Sequence, residues 1–93
     1  MAIVVHLPGT LRPLAGGQAR IALDEASRDV GAALRALYAL HPGLRDRIQD
    51  ERGELRQHVN VFVDSDNVRD LAGLATALPP GAELHILPAV SGG

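Results

Sequence analysis

Cysteine is absent from this 93-residue chain, and so is lysine. Without cysteine there is no disulfide, no thiolate metal site, no cysteine nucleophile and no side-chain persulfide. Any sulfur the protein handles must therefore be carried at its C-terminus. All nine basic residues are arginine, which excludes polymeric chains built through internal lysines and leaves the terminal amine as the one ordinary amine. Aromatic residues are limited to Tyr38 and Phe62, so the core must be aliphatic and no stacking platform for nucleic-acid bases exists. The formal charge of -2 supplies no basic surplus to displace counterions from phosphates. Long apolar runs are missing too. Ile3 to Leu7 is too short for a signal or membrane segment and has no basic leader, which places the domain in the cytoplasm as an expectation. Hydrolytic chemistry finds no support: Ser27, Ser65 and Ser91 are the only serines, none sits in a GxSxG-like elbow, and no carboxylates pair on one helical face.

What is present reads as one domain, long enough to bury roughly 60–65% of its unfolded surface. Ile3, Val5 and Leu7 alternate with Val4 and His6, a strand pattern ended by Pro8-Gly9. A second strand through Ile21 and Leu23 follows the reversal Ala15-Gly16-Gly17-Gln18, giving a hairpin with a long connection. The Gly16-Gly17 pair lacks the Lys-Ser/Thr of a P-loop and opens no helix, so turn geometry explains it. Val30, Ala33, Leu34 and Leu37 recur at helical spacing between Asp29, a suitable N-cap, and Pro42, a stop. A short second helix can begin at Pro42 with Leu44 and Ile48 buried. Charges of both signs with a glycine make Asp46 to Arg56 read as a solvated loop. Val59, Val61 and Val63 mark another strand, closed by the turn formers Asp64 to Asn67, and a short return strand through Val68 is expected. Leu71 to Leu78, broken by Gly73 and ended by Pro79-Pro80-Gly81, reads as packed irregular chain. Glu83 to Leu87 is the last strand. The order predicts an α+β fold: a mixed sheet of four to five strands with one main helix across one face.

If that helix covers Ile3, Val5, Val61, Leu84 and Ile86, the period of two turns His6, Phe62, His85 and Leu87 to the opposite face. That face is then a candidate docking surface for a partner, beside the start of the terminal tail. His6, His58 and His85 would meet there if their strands were adjacent, a possible three-histidine metal site; but no HxxxH-type spacing supports it, and exposed histidines on a sheet usually only solvate. No metal is therefore expected.

The chain closes on PAVSGG, from Pro88 to Gly93. Glycine has no Cβ, so Gly92-Gly93 offers a bare carboxylate on a narrow backbone that can thread a tight channel. Six residues extend by about 20 Å, enough to reach a buried active site, which makes Pro88, Ala89, Val90 and Ser91 the lining of a flexible tail over 88–93. The domain itself spans 1–93.

LRPLAGG at Leu11 to Gly17, VNVFVDSDNVR at Val59 to Arg69, GLATAL at Gly73 to Leu78 and ILPAVSGG at Ile86 to Gly93 resemble the ubiquitin-like sulfur carrier family that includes MoaD, ThiS and CysO, the CysO-like branch above all. The resemblance spans nearly the whole chain and implies the β-grasp fold. It implies a carrier and not an enzyme: an E1-like adenylating and sulfurtransferase enzyme, using ATP and Mg, activates the Gly93 carboxylate, and a sulfur donor converts it to a thiocarboxylate. In the CysO-like branch the sulfur goes to a PLP-dependent cysteine synthase, and a metallopeptidase later frees the new cysteine. The chain itself would bind no cofactor. Leu87 matches the family position whose apolar side chain meets partners. The sequence departs from the family pattern at His58 and Asp70, where an aromatic residue is more usual. The molybdopterin synthase small subunit, and a ubiquitin-like modifier or tRNA-thiolation carrier, remain the alternatives.

Overall fold

Alternation in the first strand decides which way the sheet faces. In the computed structural model, which describes residues 3–23 and 28–88, β1 (Ile3–His6) buries Ile3 and Val5 and leaves Val4 and His6 half-buried. Its hairpin partner β2 (Arg20–Leu23) buries Ile21 and Leu23, in antiparallel register from Ile3↔Leu23 to His6↔Arg20. The connection contains a 3-10 turn, Arg12–Ala15, started by Pro13. Gly16 and Gly17 end it at φ 65° and 83°, left-handed values that a residue with a Cβ adopts only at a cost. The glycine pair thus reverses the chain, as expected.

The helix α1 (Val30–Leu40) starts where Asp29 accepts a hydrogen bond from the Ala32 amide at 2.8 Å. Val30, Ala33, Leu34 and Leu37 are fully buried beneath the sheet, the face that their spacing predicts. Replacing Asp29 with Ala is expected to cost about 1 kcal/mol by orphaning an N-terminal amide, measurable as a lowered urea midpoint with an unchanged slope. Pro42 opens a 3-10 turn, Pro42–Leu44, that runs into the one-turn helix α2 (Arg45–Ile48), with Leu44 and Ile48 buried as expected.

The stretch Asp46 to Arg56 is more ordered than the solvated loop its charges suggest. Its first residues belong to α2, Gln49 bridges Leu55 antiparallel, and Asp50 Oδ1 accepts from the amides of Arg52 and Glu54 at 2.9 and 3.0 Å. Tyr38 on α1 donates its hydroxyl to Gln49 at 2.6 Å, and burial pushes the phenol's pKa up, partly offset by Arg45. Local charge pattern could not reveal this, because the ties are tertiary.

Beyond it, β3 (Val59–Val63) buries its three valines. The return strand β4 (Asp66–Asn67) is shorter than expected and does not reach Val68 as a strand. The Asn67 side chain accepts from the Arg69 amide at 3.0 Å and starts a 3-10 turn, Val68–Asp70, which ends the pairing. The segment Leu71 to Leu78 is irregular apart from a 3-10 turn, Gly73–Ala75, as its glycine and prolines imply. It packs so close to α1 that a Cβ on Gly31 would lie 3.3 Å from the Leu74 carbonyl oxygen.

The last strand, β5 (Glu83–Pro88), enters the middle of the sheet, giving the order β2-β1-β5-β3-β4. It runs parallel to β1, through Val5↔Leu84 and His6↔His85, and antiparallel to β3, through Phe62↔His85 and Asn60↔Leu87. Leu84 and Ile86 complete the core with Val5, Val61, Leu34 and Leu37. No helix among the described residues is long and apolar enough to cross a membrane.

Candidate functional site at the end of the central strand

Because β5 is flanked by β1 and β3, whatever follows it leaves from the centre of the sheet. Hydrogen-bonded neighbours on both sides hold that exit, which is the rigid mounting that a protruding tail needs. Pairing extends one residue beyond the sequence expectation: Pro88 opposes Val59, at a strand end where a proline without an N–H is tolerated. Pro88 is thus the last strand residue and exposed. The other tail positions, Ala89, Val90, Ser91, Gly92 and Gly93, lie outside the described residues.

The residues expected on the outer face do share it. Arg20, His6, His85, Phe62 and Asn67 form one transverse row, each paired with the next across adjacent strands. His6, Phe62 and His85 are half-buried. Leu87 lies two residues beyond His85 on the same face, opposite Asn60, and is 45% exposed. Phe62 and Leu87 stand diagonally across a strand pair, close enough to form one apolar contact area.

A cleft of about 290 Å³ opens at this end of the sheet, between the Pro8–Leu11 turn, Arg47 of α2, and the paired ends of β3 and β5. His58, Leu87 and Pro88 line it. Arg69 braces the opposite side of β3, donating to the carbonyls of Arg56 and Val59, each at 2.6 Å, and to the Asn60 side chain at 3.2 Å. Arg47 and Arg69 were not legible as site residues. Their positions follow from tertiary packing and carry no local spacing signal.

The three-histidine grouping does not form. His6 and His85 stack, with ring centroids 4.3 Å apart and planes 8° from parallel. His58 precedes β3 by one residue and lies four residues from Phe62, the partner of His85, which is about 13 Å along the strand. Glu83 takes its place: two residues before His85, it shares the outer face, and its carboxylate accepts from His6 Nε2 at 2.5 Å. That hydrogen bond, with the positive charges of His6, His85 and Arg20 acting in the same sense, holds the Glu83 carboxyl below its ordinary pKa. Glu83 was legible as an outer-face residue by period two. Its contact with His6 required knowing that β5 lies beside β1.

A mixed five-stranded sheet with its last strand in the middle and one main helix across it is the β-grasp fold of ubiquitin-like proteins. CysO of Mycobacterium tuberculosis has it too: its crystal structure superposes with a TM-score of 0.86 at 37% identity, covering 95% of this chain and 99% of that one. The chain belongs to the ThiS family, whose model matches residues 5–93. In sequence it is 41% identical over 96 residues to the sulfur carrier protein CysO of M. tuberculosis, across the full length of both. It is 33% identical over 93 residues to small archaeal modifier protein 3 of Haloferax volcanii, again over the whole of each chain. A crystal structure of the BexX/CysO complex of Amycolatopsis orientalis matches with a TM-score of 0.87 at 32% identity, covering 99% of this chain and 100% of that one.

Proposed function

We propose that this protein is a sulfur carrier whose Gly93 carboxylate is adenylated, converted to a thiocarboxylate and used to donate sulfur, with cysteine synthesis as the destination. The observation that carries this is the family match running unbroken through Gly93, joined to a fold whose central strand points toward that end. The full-length likeness to CysO supports the destination.

The chemistry follows from the group. A carboxylate is a poor electrophile until one oxygen becomes part of a good leaving group. In an acyl adenylate that oxygen departs with AMP, and an attacking sulfur takes its position on the carbonyl carbon. ATP and Mg belong to the activating enzyme, an E1-like adenylating enzyme, and PLP to the cysteine synthase that receives the sulfur; a metallopeptidase releases the product. The carrier contributes a terminus and a docking face, and catalyses nothing itself.

Intact mass analysis of the protein from its native host tests the reading. A mass gain equal to exchange of one oxygen for sulfur, localised to the last peptide, is expected. An isopeptide remnant of this chain on other proteins, with no thiolated form, would replace the reading with that of a modifier.

The docking face comprises Phe62, Leu87, His6 and His85. Leu87→Asp should weaken capture of the activating enzyme at least tenfold by placing a charge in an apolar contact. Folding should change by no more than about 0.5 kcal/mol, because the side chain is already half in solvent. Binding titrations and melting curves on the same variant separate the two effects. A collapsed melting curve would mean that Leu87 is structural.

A further inference from the structure

The outer sheet face gathers three metal-ligating side chains that the carrier chemistry does not use. We propose that His6, His85 and Glu83 form a binding site for a borderline divalent transition-metal ion of the zinc class. One ligand atom from each lies within 4.8 Å of the others. The parallel register fixes this arrangement, since Val4 opposes Glu83 and His6 opposes His85. The nearly coplanar stack presents both imidazole edges side by side. Glu83 is held at its backbone by Asp64, whose amide donates to the Glu83 carbonyl at 2.8 Å and whose carboxylate accepts from the Glu83 amide at 3.2 Å.

Metal–ligand bonds of about 2.0–2.2 Å put tetrahedral ligand atoms roughly 3.4 Å apart, so a small rotation of partly exposed side chains closes the site. Two imidazole nitrogens and one carboxylate oxygen are a donor set that zinc accepts, with a further position left for water. Hard cations fit poorly, because calcium and magnesium call for a shell made almost wholly of oxygen. On binding, the ion replaces the proton that His6 shares with Glu83, and that proton leaves to solvent. Among the described residues His85 makes no hydrogen bond, so its ring nitrogen is available without breaking one. Arg20, beside His6 in the same row, carries the opposing charge but is exposed and free to extend away. The open coordination position faces outward beside Phe62, toward anything that docks on this face.

Calorimetric titration of the full chain with zinc chloride, followed in parallel by NMR of the histidine rings, tests this. One equivalent of zinc should bind, shifting the His6 and His85 ring signals, while magnesium chloride at the same concentration shifts neither. His6→Gln and His85→Gln should each weaken zinc binding by about tenfold or more, and His58→Gln should leave it unchanged. The wild-type ring shifts keep the test valid even if one variant folds poorly. No binding, equal binding of magnesium, zinc affinity unaffected by His85→Gln, or an equal loss in His58→Gln would each overturn the site. None of these outcomes bears on thiocarboxylate formation, which the mass measurement decides separately.

Discussion

A chain ended at Ser91 is expected to show no thiocarboxylate at all, with folding stability within about 0.5 kcal/mol of the full protein. The prediction is severe because no substitute exists in the sequence: with no cysteine anywhere, no side chain can hold the sulfur when the proper terminus is lost. Two missing residues also shorten the reach by about 7 Å, more than a partner's active site can absorb when reacting atoms must approach to roughly 3–3.5 Å. A carboxylate on Ser91 would further bring a side chain into a passage sized for glycine. Gly92→Val separates these causes. It keeps the length and the terminal carboxylate, so a steep fall in adenylation by the activating enzyme would assign the glycine requirement to channel width. The measurement is intact mass after incubation with the activating enzyme, ATP and a sulfide source, alongside thermal melting. Full thiolation of the shortened chain would remove the basis of the proposed function.

Local chemistry announced much of this architecture. Asp29 and Pro42 bracket α1, and the 3.6-residue spacing of Val30, Ala33, Leu34 and Leu37 gives its buried face correctly. The alternation of Val59, Val61 and Val63 does the same for β3. Strand order lies beyond such signals, because pairing β1 with β5 joins residues about 80 positions apart in the sequence, and periodicity says which face a residue takes but not which strand is its neighbour. Both misreadings share that origin. His58 was grouped with His6 and His85 by face alone, while the parallel β1/β5 register brings in Glu83. The 46–56 segment looked solvated because its ordering contacts come from Tyr38 and from a bridge across the turn. The site was legible in the reverse manner: Gly92-Gly93 is a statement of sequence, whereas the cleft beside Leu87 and the brace at Arg69 exist only after folding.

The largest stability effect should come from Leu84→Ala. Leu84 is fully buried in the central strand, paired with Val5 on one side and Val63 on the other, with neighbours fixed by two ladders and unable to collapse into the space. Truncating such a leucine costs about 2–5 kcal/mol from lost transfer energy and the residual cavity, a large share of the ~5–15 kcal/mol that holds a typical domain. At roughly 4–8 °C per kcal/mol for a domain of this size, the melting temperature should drop by at least about 10 °C. Leu87 sits three residues further along the same strand with its side chain on the other face, so Leu87→Asp should barely move it. The contrast isolates burial from strand position. At low temperature, where Leu84→Ala remains folded, its terminus should still be thiolated at close to the normal rate, since β5 keeps its register and the substitution touches no surface that a partner meets. Loss of thiolation in a folded Leu84→Ala protein would show that core packing controls the presentation of the tail, and that the strand is not the rigid mounting inferred from its position.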